Sequence, residues 1–342
     1  MASLLVESGA FDFIGTRHKT RILNSTCFDA FISIFHRVLI MQSIKSALTA
    51  ASARLAAAEV DAPRLSAEVL LAHCLGMERA ELLKLGIMEP HRELDPHTVA
   101  QFLALCTRRE LGEPVAYLVG HKEFFGREFG LCRHTLVPRP ETELLVEKAL
   151  DTVRAGDGSL PAQGLFADFG TGSGCIAITL ALAMPGWRGI ALDTSGQALE
   201  QARQNAQSFG VGAIRFVQAS FHAPPLPNRC LDLLVSNPPY VSLQEYKEIS
   251  HEVRGFEPLA ALVPASEGMP GALRHDGFAD IAAIIGQAER LLKPGGHLLF
   301  EMGHTQSELA LHALALRGWS NATVHNDLAG LPRVGSAVWT AP

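Results

Sequence analysis

Apolar positions along most of the chain keep one of two rhythms. Between residues 42 and about 118 they recur every three or four positions. Ile44, Leu48, Leu55 and Ala58 follow one face, and Leu65, Val69, Leu70 and Leu75 the next. Ala80 to Leu85 and Val99 to Leu111 continue the spacing. Breakers fall between the runs at Asp61-Ala62-Pro63, Gly76, Glu89-Pro90 and Asp95-Pro96. The pattern predicts a bundle of four or five short helices, suited to recognition, docking or scaffolding. From His121 to Phe129 the chain turns aromatic and extended around Gly126, which predicts a β-hairpin linker over 121–137. Pro138 and Pro140 then hold the backbone out of the helical region before a helix resumes at Thr142.

Beyond residue 165 short apolar strands alternate with helical runs. Strands are predicted at Leu165–Asp168, Gly189–Asp193, Ala213–Gln218, Leu231–Ser236 and His297–Glu301, with two more at the C-terminus. Helices are predicted at Cys175–Ala183, Gln197–Phe209, Phe278–Leu292 and Ser307–Leu316. Alternation of this kind means an α/β, doubly wound sheet whose ligands sit at the carboxyl ends of the strands. The expected organisation is an extension over 1–40, a helical domain over 41–120, the hairpin linker, and the α/β domain over 138–342. Residues 1–40 lack a clear period and carry Glu7, Asp12 and Asp29. They read as an upstream extension, disordered or an over-called start; a weak targeting segment is the alternative.

Composition narrows the class. The 342 residues carry 29 Lys+Arg against 35 Asp+Glu, a net charge of -6. Attraction to nucleic-acid phosphates usually needs the opposite balance, so no direct nucleic-acid contact is expected. The six cysteines form no CxxC pair, which disfavours a zinc ribbon or disulfide scaffold and suits a reduced, cytoplasmic protein. No uninterrupted apolar run reaches about 18 residues, so no membrane span is expected. The fourteen histidines show no HxH or HxxxH spacing, so no metal site is expected.

Two motifs carry chemistry. Asp168-Phe169-Gly170-Thr171-Gly172-Ser173-Gly174 follows a strand and opens a helix. Alternate glycines permit a tight turn and close approach of a ligand. Asp193 ends the next strand, where an acid can accept both hydroxyls of a ribose. The loop alone leaves two cofactors open. The nicotinamide pattern GxGxxG fails from Gly170, because position 175 is Cys. The spacing Asp-x-Gly-x-Gly-x-Gly resembles the first motif of S-adenosylmethionine-dependent methyltransferases. The second motif is Asn237-Pro238-Pro239-Tyr240, at the end of the fourth strand. Asn237 offers an amide oxygen, Pro238 a free carbonyl, Pro239 stiffness, and Tyr240 a ring face. Two acceptors and an aromatic face suit a planar –NH2 group held still for transfer by positioning and fixed dipoles.

With these motifs in place, the chain resembles the HemK/PrmC family of protein-(glutamine-N5) methyltransferases, from about Met41 onward. The resemblance is carried by Glu113 to Leu118 with Gly120, Lys122-Glu123-Phe124 and Val137 to Glu143. Asp168 to Gly174, Asp193, Val235 to Val241, Val253 to Pro258 and Ala261-Leu262 complete it. It implies a class I methyltransferase fold with a seven-stranded sheet behind a helical domain and a hairpin. It implies S-adenosylmethionine as donor, S-adenosylhomocysteine as product, and as substrate the glutamine of the Gly-Gly-Gln tip of class I peptide chain release factors. By resemblance Asp168 and the Gly170–Gly174 loop with Thr171 and Ser173 lie along the donor, Asp193 holds its ribose, Phe221 flanks its adenine and Asn237 also contacts the donor. Asn237 to Tyr240 hold the substrate amide, with Arg139 and Glu141 bordering the cleft. Ser220 stands where relatives often carry Asp, and Gly268 to Asp276 reads as a loop insertion. A monomer is expected.

Three other functions compete. An adenine-N6 DNA or RNA methyltransferase shares the Asn-Pro-Pro-Tyr motif, but needs a basic face. Residues 121–342 carry 17 basic against 22 acidic residues. A donor-binding module without turnover does not need Asn237, and a nicotinamide oxidoreductase leaves Asn-Pro-Pro-Tyr unexplained.

Overall fold

A computed structural model describes residues 41–154, 160–265 and 276–340. The N-terminal extension and most of the expected loop insertion lie outside the described residues. The helical rhythm becomes five helices: α1 (Ile44–Ala57), α2 (Pro63–Leu75), α3 (Arg79–Met88), α4 (Pro96–Glu110) and α5 (Val115–Val119). Ser43 and Ser46 form a capping box ahead of α1. Asp95 accepts the Thr98 N–H at 2.9 Å, with Pro96 in the first turn of α4. Ile44, Leu48, Leu55, Leu70, Leu82 and Phe102 share one buried core.

Strands β1 (His121–Phe124) and β2 (Arg127–Gly130) pair antiparallel. Phe125 and Gly126, the two turn residues, both have positive φ, +53° and +71°. That turn matches the twist of adjoining strands. Phe125 tolerates the left-handed conformation with its N–H donated to a Glu143 carboxylate oxygen at 2.9 Å. The ladder ends at Gly130, short of the expected residue 137. The Asn205 side chain takes over there, accepting the Gly130 N–H (2.9 Å) and donating to its carbonyl (3.0 Å). Residues 131–139 continue as an irregular strap.

A 3₁₀ turn at Pro140–Thr142 leads into α6 (Glu143–Arg154). Then follow β3 (Leu165–Phe169), α7 (Cys175–Ala183), β4 (Arg188–Asp193), α8 (Gly196–Ser208), β5 (Ile214–Gln218) and β6 (Leu231–Ser236). The chain continues through α9 (Leu243–Glu248), α10 (His251–Phe256), α11 (Ala279–Leu291), β7 (Leu292–Glu301), α12 (Ser307–Leu316), β8 (Ser320–Asn326) and β9 (Pro332–Val338). The seven strands order as β5-β4-β3-β6-β7-β9-β8. The first five run parallel, and β9 pairs antiparallel with both neighbours. Strand order reverses between β3 and β6, so their carboxyl ends open the crevice where such sheets bind ligands. β6 is buried along its whole length, as its continuous apolar run suggests. One core packs α6 and α7 with Phe124 and Phe129 of the hairpin against the sheet, and a second packs α11 and α12.

β7 begins at Leu292, earlier than the expected His297. Leu292 pairs with Leu231 before an irregularity in the ladder that accommodates Pro294, which has no N–H to give. Among the described residues no helix is long and apolar enough to cross a membrane.

Candidate active site

The glycine loop turns out of β3 directly over the crevice. The N–H groups of Gly170 and Thr171 both donate to the Leu192 carbonyl at 2.9 Å, binding the loop to β4. Gly172 has φ +55°, and a Cβ there would meet open space. Gly174, at φ +82°, packs so near α8 that a Cβ would lie 3.0 Å from the side chains of Ala202 and Ile178. Flexibility serves the first glycine and close helix approach the third. Asn205 on α8 donates to the Ser173 carbonyl at 2.8 Å, so one side chain clamps both the loop and the hairpin.

Asp193 ends β4 on the wall of the same cavity. Its carboxylate accepts the Gly172 N–H and the Ser195 N–H, each at 2.9 Å. Each oxygen keeps a lone pair for a ribose hydroxyl. Burial pushes its pKa up, against these backbone donors. Asp168 and Gly174 do not reach the wall; Gly170, Thr171, Gly172 and Ser173 do. Asp168 lies fully buried beneath the loop and accepts the Thr171 hydroxyl at 2.7 Å. Burial pushes its carboxyl up to about 7, with the nearby Asp193 charge adding to the rise. Sequence alone put Asp168 among the cofactor contacts; its visible role is to hold the loop from below.

Phe221 lines the cavity beside the His222 ring, with centroids 4.8 Å apart. Ser220, in place of an acid, accepts the His222 N–H at 3.2 Å and so shapes this turn. An aromatic wall, an acid with spare lone pairs and an open glycine backbone fit a nucleoside. Cys175 also lines the cavity, but burial pushes its thiol up to about 12, which keeps it un-ionised and a poor nucleophile.

Asn237, at the tip of β6, lines the same cavity. Its Nδ2 donates to the Thr142 hydroxyl oxygen at 3.1 Å. Thr142 Oγ1 in turn donates to Glu301 Oε2 at 2.7 Å, and Tyr240 Oη donates to Glu301 Oε1 at 2.9 Å. Pro239 joins Asn237 on the wall; Pro238 and Tyr240 do not. Tyr240, whose ring is expected to face a bound planar group, is half-buried. The ring packs against the α11 core and its hydroxyl is held by Glu301. Burial, with the Glu301 charge beside it, pushes the Tyr240 hydroxyl pKa well above its usual range.

Arg139 lines the cavity, while Glu141 is exposed and outside the lining. Arg139 pairs instead with Glu257, at 2.6 Å. The same buried carboxylate accepts the Val137 N–H at 3.1 Å. Glu257 thus ties the strap to the Pro258, Ala260 and Ala261 wall. Its neighbour Phe256 packs with Ala116, Tyr117, Leu131 and Val137. The helical bundle reaches this wall through buried Arg109, paired with Glu252 at 2.7 Å. Thr142, Asn205, Glu257 and Glu301 escape site reasoning from sequence, since each acts across more than 70 residues; only a buried acid beside a motif hints at two of them. Among the described residues no group of three or more His, Cys, Asp or Glu could hold a metal ion.

A parallel sheet with an antiparallel final pair, a glycine loop after β3 and an acid ending β4 define a class I methyltransferase fold. A model described as methyltransferase domain matches residues 165–330, and one described as PrmC N-terminal domain matches residues 46–120. A protein of Nitratidesulfovibrio vulgaris named release factor glutamine methyltransferase is 45% identical over 294 residues, covering 85% of this chain and 93% of its own length. Proteins of the same name from Chlorobaculum tepidum and Koribacter versatilis are 38% and 37% identical, covering 80% and 85% of this chain and 90% and 97% of their own. The chain belongs to this family of release factor glutamine methyltransferases, in agreement with the motif resemblance to HemK/PrmC.

Proposed function

We propose that the protein transfers a methyl group from S-adenosylmethionine to the side-chain amide nitrogen of the glutamine in the Gly-Gly-Gln motif of class I release factors. The observation that carries this reading is the state of Asn237. Its amide nitrogen is tied back to Thr142, and its Oδ1, like the Pro238 carbonyl, accepts no hydrogen bond among the described residues. Two open acceptors at one strand tip match the two N–H groups of a primary carboxamide.

Gly170, Thr171, Gly172, Ser173, Asp193 and Phe221 would hold the donor, the acid at its ribose and the aromatic ring at its adenine. The donor, when bound, supplies an electrophilic methyl carbon on a sulfonium and leaves as S-adenosylhomocysteine. An amide nitrogen is a weak nucleophile because its lone pair is delocalised. Bonds from both its hydrogens to Asn237 Oδ1 and the Pro238 carbonyl fix the plane of the group. They also stabilise positive charge that develops on nitrogen, and preorganised dipoles of this kind supply much of an enzyme's acceleration. As the carbon–sulfur bond breaks and the nitrogen–carbon bond forms, the nitrogen loses one proton to water. The names and coverage of the relatives support the same substrate, and the acidic balance of the chain disfavours a nucleic-acid acceptor. The reading implies a cytoplasmic enzyme.

The test is incubation with methyl-labelled donor and either a class I release factor or duplex DNA. Label on the release factor is the expected result. Label on DNA alone would overturn the proposal.

A further inference from the structure

Glu301 is fully buried at the end of β7, and neither of its oxygens touches the cavity. Both accept hydroxyl protons, one from Tyr240 (2.9 Å) and one from Thr142 (2.7 Å). We infer that Glu301 and Thr142 are positioning residues that set which end of the Asn237 amide faces the substrate.

The argument is a count of protons. The oxygen and nitrogen of an asparagine amide have nearly the same shape, so its hydrogen-bond partners decide its orientation. A threonine hydroxyl has one proton. That of Thr142 is donated to the Glu301 carboxylate, so toward Asn237 its oxygen can only accept. The Asn237 group 3.1 Å away must then be the NH2, which leaves Oδ1 as the substrate's acceptor. If the carboxylate were replaced by a donor, the Thr142 proton would be free to turn toward Asn237. The amide could then flip and present hydrogens to hydrogens. Burial, with the Glu141 charge, pushes the Glu301 carboxyl above its usual range, opposed by the two hydroxyl donors and Arg333. Tyr240 uses the second carboxylate oxygen, so the same group also fixes the chain immediately after the motif.

This inference rests on the proposed reaction, and two measurements keep the two apart. The first is the ¹⁵N-resolved side-chain amide signal of Asn237, assigned by its loss in Asn237→Asp. One of its protons is expected downfield in the wild type, shifted back in Thr142→Val and restored in Thr142→Ser. The second is turnover on a release factor. Thr142→Val is expected to lower kcat about 10²-fold, as removal of one preorganised donor typically does, with S-adenosylmethionine affinity changed less than about twofold. Thr142→Ser is expected to recover most of that loss. An unchanged amide signal in Thr142→Val, or a changed signal with unchanged kcat, overturns the inference. A wild-type protein without turnover on release factor overturns the reaction alone, because the amide signal still reports the relay.

Discussion

Glu257 offers a test of how the cavity wall is held. Its side chain is 1% exposed, and it accepts from the Val137 N–H at 3.1 Å and Arg139 at 2.6 Å. Glu257→Ala leaves a buried backbone N–H without a partner, which costs about 1–3 kcal/mol. The freed Arg139 side chain is 32% exposed and can turn to water, so its loss adds about 1 kcal/mol at most. The sum of about 1–4 kcal/mol corresponds to a fall in Tm of about 2–6 °C for a protein of this size. Glu257→Gln behaves differently. Its amide oxygen can serve Val137 while Arg139 moves away, so the cost falls to about 1 kcal/mol. The strap and the Pro258 segment both line the cavity, so the Ala variant also weakens donor binding, by about three- to tenfold. Thermal denaturation and calorimetric titration with S-adenosylmethionine read both effects. An Ala variant that melts within about 1 °C of wild type, or no lower than the Gln variant, would refute the reasoning.

Other substitutions probe the loop and the strand tip. Asn237→Ala removes an acceptor for the substrate but none of the nucleoside wall; transfer should fall by about 10²-fold or more with donor affinity nearly unchanged, and equal loss of both in paired kinetic and binding assays would contradict the assignment. Gly174→Ala places a Cβ against Ala202 and Ile178 at φ +82°; strain and crowding should lower stability by about 2–4 kcal/mol in urea titrations, and a neutral result would deny the close packing. Asp168 has its folded pKa raised to about 7 from the ordinary carboxylate value of 3.8. Its contribution to stability is therefore complete below the unfolded value and is lost as pH rises through about 7. Asp168→Asn should flatten this dependence, so that the variant gains a few kcal/mol on wild type between pH 5 and pH 8; parallel pH profiles of the two proteins would show that the carboxyl is not held protonated.

The parts of this protein that were legible in the sequence are those set by near neighbours. Three- and four-residue spacing suffices for the helical bundle because each helix buries one stripe. The loop from Gly170 to Gly174 is legible because strand, turn and helix lie together in the chain. Pairing at a distance leaves no such mark. Arg139 has an acid two positions away in Glu141, yet its partner is Glu257, because Pro140 starts a 3₁₀ turn that leaves Glu141 exposed. Tyr240 reads as a ring for a ligand, and only the fold shows that Glu301 holds its hydroxyl. The hairpin was expected to run to 137, and nothing local announces that Asn205 ends it at Gly130. β7 starts early because Leu292 finds Leu231, a pairing that the Pro-Gly-Gly sequence between helix and strand conceals.

The central claim concerns a single nitrogen atom, and peptide mass spectrometry reads it directly. A class I release factor incubated with the protein and S-adenosylmethionine should gain one methyl group, about 14 Da, on the glutamine of its Gly-Gly-Gln peptide. No gain is expected with Asn237→Ala. A methyl group on any other residue of the factor, or undiminished methylation by Asn237→Ala, would contradict the account.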